Sequence, residues 1–213
     1  MKPLRIVIAD DHAMICDGLK MIIEAHEGLQ VVAVAADGEE AVRLVERLQP
    51  DLAILDISMP EMNGILACEL IKKKAPSVRS IILTMHHTSE YVFRAFEAGA
   101  AGYLLKESAG GEMIAAIRTV MKGRRFLGRG VEDPFASQPE LPAKSPLASL
   151  SRREHQVMQM VVEGKTSAEI ANKLSLSPKS VESYRSRLMT KLEVPNLAAL
   201  VKFALEHGIT PSA

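Results

Sequence analysis

The chain has 213 residues, a length that suits one or two domains. It carries 26 Lys and Arg residues against 26 Asp and Glu residues, and 47% of its residues are hydrophobic. This balance excludes a uniformly basic nucleic-acid-coating protein and an acidic disordered chain, and it is typical of a globular protein. A chain of this length buries enough apolar surface to fold without disulfide bonds or a structural metal.

The two cysteines, Cys16 and Cys68, indicate a reduced protein rather than a disulfide scaffold. Neither lies in a metal-binding cluster, so we expect both to be small core residues. The apolar run that follows residues 1–5 is too brief for a signal peptide, and the sequence has no stretch of about 18 apolar residues. We therefore expect a cytoplasmic protein that does not act in a membrane.

Charge and proline are distributed unevenly along the chain. Residues 1–128 carry 15 basic and 17 acidic groups, whereas residues 148–213 carry 9 basic and 6 acidic groups. Between them, residues 129–147 contain four of the eleven prolines and show neither helical nor strand periodicity. Because proline disfavours helix, the sequence predicts an extended linker between a domain at 1–128 and a domain at 148–213. The basic balance of the second domain favours nucleic acid binding there.

Short apolar runs alternate with helical patterns throughout the first domain. A helical pattern follows each run, as in Ala41, Val42, Val45 and Leu48. Continuous apolar runs suit strands that are covered on both faces, so the alternation predicts a doubly wound α/β domain with a five-stranded parallel sheet. The predicted strands are 5–9, 31–35, 52–56, 80–84 and 102–105.

Polar side chains stand at the strand ends, where parallel sheets bind ligands. Asp10 and Asp11 follow the first strand, Asp56 ends the third, Thr84 ends the fourth and Lys106 follows the fifth. Three ionised carboxylates repel one another unless a cation lies between them, and their oxygens suit Mg²⁺. Asp56 could then accept a phosphoryl group whose oxygens Thr84 and Lys106 bind. Taken singly, these residues also suit helix caps and turns; their occurrence at four strand ends favours the phosphoryl site.

Residues 4–122 resemble the receiver domain of two-component response regulators. The resemblance rests on the aspartate pair, the D-x-x-M-P-x-x-x-G motif at 56–64, Thr84, and Lys106 followed by a helix. It implies a flavodoxin-like fold and a Mg²⁺ ion bound by Asp11, Asp56 and the Ser58 carbonyl, with Asp10 acting through water. It also implies a histidine kinase as phosphodonor and a domain that catalyses only its own phosphorylation and slow dephosphorylation.

Three further residues take roles from this resemblance. Tyr103, three residues before the lysine, matches the switch aromatic of receivers, whereas taken alone it suits the core. Ser58 and His86 occupy positions that tune the lifetime of the phosphoryl group in receivers, and we expect the same role here. Taken alone, His86 suits an ordinary surface position.

Helix signals are dense in the second domain. Ser151-x-x-Glu154 and Thr166-x-x-Glu169 have the spacing of capping boxes, and Ser177-Pro178 predicts an N-cap followed by the first helical residue. The short turn at 175–177 predicts a helix-turn-helix. The polar face of its second helix suits either a DNA major groove or solvent. The predicted helices are 151–162, 167–174, 178–192 and 196–207.

Residues 150–209 resemble the LuxR-type helix-turn-helix of NarL/FixJ-family response regulators. The matching motifs are Leu150-Ser151-x-Arg153-Glu154-x-x-Val157, Glu163-Gly164-Lys165-Thr166-x-x-Glu169-Ile170-Ala171 and Leu176-Ser177-x-x-Ser180-Val181. The resemblance implies that helix 178–192 is the recognition helix. It places Glu182, Ser183 and Ser186 against bases, and Lys179, Ser180, Arg187 and Lys191 against phosphates.

Two positions depart from the family pattern. Tyr184 replaces the common histidine of the recognition helix, and its hydroxyl is compatible with a phosphate contact. Glu193 stands where many relatives have glycine, so the helix must end on another cap. Glu193 also brings an acidic charge toward the expected DNA, which predicts modest affinity.

Together the resemblances imply a phosphorylation-activated, DNA-binding transcription regulator, with no enzymatic activity beyond its own phosphorylation and dephosphorylation. Phosphorylation would switch dimerisation or the exposure of the recognition helix. The implied partners are a histidine kinase, double-stranded promoter DNA and a second copy of the chain, with RNA polymerase as a further candidate. Helices 1 and 5 of the first domain can pair in this family, as can the last helix, where Leu197, Val201 and Phe203 suit either an interface or the core.

Two other functions remain as alternatives. One is a phosphoryl sink that never acts through DNA. The other is a hydrolase that uses Asp56, although the chain lacks a cap domain and has Ser58 where a second catalytic aspartate would stand.

Overall fold

The computed structural model describes residues 2–134, 149–206 and 209. The chain divides into two compact units, Met1–Pro139 and Glu140–Ala213. This division falls inside the predicted linker 129–147, whose residues 135–147 lie outside the described residues, so its extended conformation stays a prediction. Within the described part of the chain, no helix has the length and apolar character needed to span a bilayer.

The first unit is a parallel sheet with helices on both faces, as predicted. Its strands lie in the order β2-β1-β3-β4-β5-β6, the arrangement of flavodoxin-like sheets with one added strand. The elements are β1 (Leu4–Ala9), α1 (Ala13–Glu24), β2 (Leu29–Ala35), α2 (Gly38–Leu48), β3 (Leu52–Leu55), α3 (Gly64–Lys74), β4 (Arg79–Thr84), α4 (Ser89–Ala98), β5 (Gly102–Leu105), α5 (Ala109–Met121) and β6 (Phe126–Leu127).

The prediction of five strands was one strand short. The added strand β6 pairs in parallel with Gly102 and Tyr103 of β5. It is only two residues long, so the sequence offers no apolar period that could reveal it. The amide of Arg129 then donates to Glu112 Oε2 at 3.0 Å, so the predicted linker begins with a residue that contacts α5.

Alternate residues of each central strand enter different cores. In β1, Val7 packs with residues of α2, α3 and α4, whereas Ile8 packs with residues of α1 and α5. Since successive side chains point to opposite faces of a sheet, a strand covered on both sides must be apolar throughout. This requirement explains the continuous apolar runs of the sequence.

Both cysteines lie in these cores as free thiols, as predicted. Cys16 packs on the α1 and α5 side, and Cys68 packs on the opposite side. Burial raises the pKa of Cys16 to about 11 and that of Cys68 to about 12.

The second unit contains four helices: α6 (Arg152–Val162), α7 (Ser167–Leu174), α8 (Pro178–Lys191) and α9 (Leu197–Glu206). Both predicted capping boxes are formed, at the starts of α6 and α7. Ser177 caps α8 and Pro178 occupies its first turn, so the helix starts predicted from capping residues are confirmed. The core of this unit includes Val157, Ile170, Val181, Leu188 and Leu200.

The end of α8 is closed by a Schellman motif without glycine. Glu193 has a φ of 54°, in the left-handed region. Its amide donates to Thr190 O at 3.3 Å, and the Val194 amide donates to Met189 O at 3.0 Å. Met189 and Val194 also pack against the core, as in other Schellman motifs. Helix α8 is therefore capped although it lacks the usual glycine after its end. Glu193 takes that position in a backbone conformation that glycine adopts more readily than glutamate.

Replacing Glu193 by glycine is expected to stabilise the second unit by about 0.5–1 kcal/mol, because glycine adopts a positive φ without a Cβ clash. Denaturant unfolding of the full chain, followed by circular dichroism, measures the change. Glu193→Ala is the matched control, since it removes the same charge but keeps the Cβ. Equal stability of the two variants would contradict the explanation.

Candidate functional site

The carboxyl edge of the sheet brings four of the predicted residues together. Asp10 and Asp56 extend from β1 and β3 and are almost fully buried, as is Thr84 at the end of β4. Lys106 follows β5, and its Nζ lies 2.8 Å from Asp10 Oδ2 and 2.9 Å from Asp56 Oδ2. One ammonium group therefore bridges carboxylates from two different strands.

The charges at this edge are not balanced. Burial raises the pKa of Asp56 and the Asp10 carboxylate raises it further, while Lys106 opposes both. Burial alone would lower the pKa of Lys106, but its hydrogen bonds to Asp10 and Asp56 raise it above the ordinary value. Asp11 adds a third carboxylate, so the single ammonium leaves excess negative charge that favours a bound cation.

The donor atoms at this edge fit a hard divalent cation. One ligand atom from each of Asp10, Asp11, His12 and Asp56 lies within 4.8 Å of the others. Three of the four are carboxylate oxygens, which are the ligands that Mg²⁺ prefers. His12 was not predicted from the sequence; its Nδ1 lies 3.1 Å from Asp10 Oδ1 and 2.8 Å from Asp11 Oδ1. Its place directly after the aspartate pair was the available signal.

The last glycine of the 56–64 motif is required because its position has no room for a Cβ atom. The amide of Gly64 donates to Ile57 O at 3.1 Å as α3 begins. A Cβ at this position would overlap the backbone carbonyl of Asp56. A hydrogen bond from the Ser58 backbone lowers the pKa of Asp56 and so favours its carboxylate. The motif thus positions the Asp56 carboxylate through its own backbone.

His86 contacts three of the other predicted site residues. Its Nε2 lies 3.0 Å from Ser58 Oγ, and its amide donates to Thr84 Oγ1 at 3.3 Å. Its carbonyl oxygen accepts a hydrogen bond of 2.8 Å from the hydroxyl of the buried Tyr103. Burial lowers the pKa of His86, which keeps its ring neutral at neutral pH.

Tyr91 is a second residue near the site that was not predicted from the sequence. Its ring stacks on the His86 ring, with 4.3 Å between centroids and 9° between planes. Tyr91 lies on the buried face of α4, so its apolar spacing in the sequence indicated a core position and nothing more. The stack ties α4 to the loop after β4.

The second unit presents the predicted polar face on α8. Ser167 of α7 donates to Glu182, and the Arg187 guanidinium lies 5.5 Å from the centroid of the Tyr184 ring. Lys179, Glu182, Ser183, Ser186 and Arg187 are exposed, whereas Ser180 and Tyr184 are half-buried.

Two cationic residues of α8 have partners inside the unit. Arg185, which the sequence analysis did not single out, donates from Nη2 to Lys165 O at 3.0 Å and holds α8 against the loop before α7. The Nζ of Lys191 lies 2.7 Å from Glu154 Oε2. Its predicted contact with a DNA phosphate stays a prediction. Neither partner could be found from helical spacing, because both lie far away in the sequence.

Two family models match the chain. The model described as "Response regulator receiver domain" matches residues 6–118, and the model described as "Bacterial regulatory proteins, luxR family" matches residues 148–204. The response regulator UvrY of Escherichia coli (strain K12) is 36% identical over 208 residues, which cover 97% of this chain and 95% of UvrY. The oxygen regulatory protein NreC of Staphylococcus epidermidis is 38% identical over 215 residues, covering 97% and 99% of the two chains.

Solved structures of the response regulator RcsB resemble the chain over nearly its full length. One, from Salmonella typhimurium, is 28% identical with a TM-score of 0.59 and covers 96% of this chain and 99% of its own. An RcsB–DNA complex is 28% identical with a TM-score of 0.60 and covers 97% of this chain and 100% of its own.

Replacing Asp56 by asparagine is expected to stabilise the first unit by about 1–2 kcal/mol at pH 7 without divalent metal, because it removes a buried charge beside Asp10 while Asp10 still pairs the Lys106 ammonium. A carboxyl group whose pKa is raised by folding destabilises the fold above that pKa and not below its unfolded value. The gain should therefore shrink as the pH falls toward about 4. Thermal unfolding across this range measures it, with the exposed Asp17→Asn as control. A difference in stability that does not change with pH, or a loss of stability in Asp56→Asn, would refute the conclusion that the buried Asp56 carboxylate destabilises the fold.

Proposed function

The chain belongs to the response regulators that join a receiver domain to a LuxR-type helix-turn-helix domain, and we propose how its own residues perform phosphorylation-regulated DNA binding. The observation that carries the proposal is the bridge from Lys106 to Asp10 and Asp56 at the sheet edge. A histidine kinase supplies the phosphoryl group, and promoter DNA is the target. Because that DNA is cytoplasmic, the protein acts there.

Asp56 is the phosphoacceptor in this proposal. Its carboxylate oxygen bonds to phosphorus as the bond to the kinase histidine breaks, giving an aspartyl phosphate. Asp11, Asp56 and the Ser58 carbonyl would hold Mg²⁺, with Asp10 acting through water. When bound, the ion supplies positive charge that allows an anionic phosphoryl group to approach. Lys106 and Thr84 bind the phosphoryl oxygens. In this proposal the chain turns over no other substrate.

Thr84 and Tyr103 carry the signal away from Asp56. Phosphorylation adds a charge of about −1.5 to −2 at Asp56 and offers new acceptors to the Thr84 hydroxyl. In the structure described above, the Thr84 hydroxyl oxygen accepts a hydrogen bond from the His86 amide, and the His86 carbonyl accepts one from the Tyr103 hydroxyl. A turn of Thr84 toward the phosphoryl group therefore disturbs His86 and the Tyr91 stack on α4. The result is dimerisation or exposure of α8.

The exposed face of α8 reads DNA in this proposal. Glu182, Ser183 and Ser186 face bases and specify sequence. Phosphate contacts set affinity and salt dependence. The residues that make them are Lys179, Ser180, Arg187 and the half-buried Tyr184.

A second copy of the chain is the expected partner on DNA. Met14 and Met21 lie two turns apart on α1 with 85% and 75% of their surface exposed, which supports pairing through this helix. Leu197 is exposed on α9, whereas Val201 and Phe203 are half-buried and pack against the core. A dimer would read two half-sites one DNA turn apart. RNA polymerase stays a candidate partner.

Phosphorylation is expected to tighten binding to an inverted-repeat DNA site. Genomic selection with the purified chain, with and without a small-molecule phosphodonor and Mg²⁺, identifies the site. Asp56→Ala is the control and should not respond to the phosphodonor. If Asp56 takes phosphate but neither state selects a sequence, the phosphoryl-sink function replaces this one.

Loss of the His86 side chain is expected to shorten the lifetime of the aspartyl phosphate. His86 Nε2 lies 3.0 Å from the Ser58 hydroxyl, two residues from Asp56. In the proposed mechanism this pair restricts the approach of water to the aspartyl phosphate. A hydrogen bond of about 1 kcal/mol corresponds to a change of roughly fivefold in rate. Phosphate release from His86→Ala and Ser58→Ala measures the effect, with the exposed neighbour His87→Ala as control. Unchanged or slower release in both variants would contradict this role.

A further inference from the structure

Lys191, the last residue of α8, is bound to the start of α6. Its Nζ lies 2.7 Å from Glu154 Oε2 and 3.1 Å from the carbonyl oxygen of Ser149. The Glu154 side chain is only 4% exposed, whereas that of Lys191 is 39% exposed. The ammonium group therefore points into the unit, although the residue lies at the surface.

Glu154 requires this partner. Its Oε2 also accepts the Ser151 amide at 2.7 Å, which completes the capping box of α6. Burial alone would raise the pKa of Glu154, but the hydrogen bonds from Lys191 and Ser151 lower it below the ordinary value. Glu154 is thus ionised and nearly enclosed, and removing one member of such a pair leaves an uncompensated buried charge.

The ion pair fixes one end of α8. Nearer the helix start, Ser167 donates to Glu182 and Arg185 donates to Lys165 O, so those contacts hold α8 against α7 and the loop before it. At the far end of α8, the Lys191–Glu154 ion pair joins this helix to α6, in addition to the core packing of Leu188 and Leu192. A small change at this end would rotate the exposed residues of the helix relative to a DNA groove.

We propose that Lys191 is a positioning residue, which orients α8 by pairing with Glu154, and that it is not a phosphate contact. The inference rests on the proposed DNA-binding function of α8. It replaces the role that family resemblance suggested for this residue.

The two roles predict opposite effects for Glu154→Gln. Glutamine keeps the acceptor that the capping box needs, so the start of α6 is preserved. If Lys191 positions the helix, the loss of its partner weakens specific binding. If Lys191 binds a phosphate, the released ammonium strengthens binding instead.

The test uses the phosphorylated full chain on its selected DNA site and on an unrelated duplex, over a range of salt concentrations. Lys191→Met should weaken specific binding about tenfold, roughly the effect of one charge-assisted hydrogen bond. Its binding to the unrelated duplex and its salt slope should stay near wild type. Lys179→Met is the matched control, and it should lower the salt slope by about 0.9 and weaken binding to both duplexes.

The double variant Glu154→Gln/Lys191→Met should bind no more weakly than Lys191→Met, because the pair is already broken. A salt slope lowered by about 0.9 in Lys191→Met would overturn the proposal, as would tighter binding by Glu154→Gln. Circular dichroism checks that each variant is folded. If both single variants and the double variant lose the second unit, the pair is needed for folding, and the positioning role is also refuted.

The same measurements distinguish a failure of the proposed DNA recognition from a failure of the role proposed for Lys191. A wild-type chain that selects no sequence, with a slope that Lys179→Met does not change, would refute the proposed function. A selective wild-type chain with an altered slope in Lys191→Met would refute the role of Lys191 alone.

Discussion

Lys106 neutralises part of a charge cluster that could not otherwise be buried. Its ammonium group contacts Asp10 and Asp56, two carboxylates from different strands with almost no access to water. Removing the ammonium would leave like charges together in a medium that screens them poorly. The parallel strand order brings all three residues to one edge, because strands that run in one direction end on one side. The fold and the carboxylate cluster at the sheet edge therefore depend on the same topology.

His86 links four other residues of the first unit. Its ring, amide and carbonyl contact Ser58, Thr84 and Tyr103, and one face of its ring is covered by Tyr91. A change at one of these contacts would alter the others, because a single residue in the loop after β4 makes all of them. In the second unit, one residue also makes several contacts, because Glu154 both completes the capping box of α6 and pairs with Lys191.

The sequence was sufficient for features that depend on local spacing. Apolar runs predicted the five main strands, and Ser151 and Thr166 marked helix starts that the structure confirms. It was insufficient where a contact joins distant segments, as with Tyr91 on His86 or Lys191 on Glu154. No spacing rule predicts such pairs, because they form only when the tertiary structure brings the two side chains together. The strand β6 was missed for a different reason, since two residues show no period.

The buried cysteines make the chain convenient for spectroscopy. Both thiols are enclosed, and with pKa values of about 11 and 12 almost none of either is thiolate near neutral pH. Maleimide reagents should therefore leave the folded wild-type protein unlabelled. A cysteine introduced at an exposed position outside the proposed α1 interface, such as Lys73 of α3, would be the reactive thiol. One spin label or dye per chain could then report distances between copies as the protein is phosphorylated, without first removing Cys16 or Cys68.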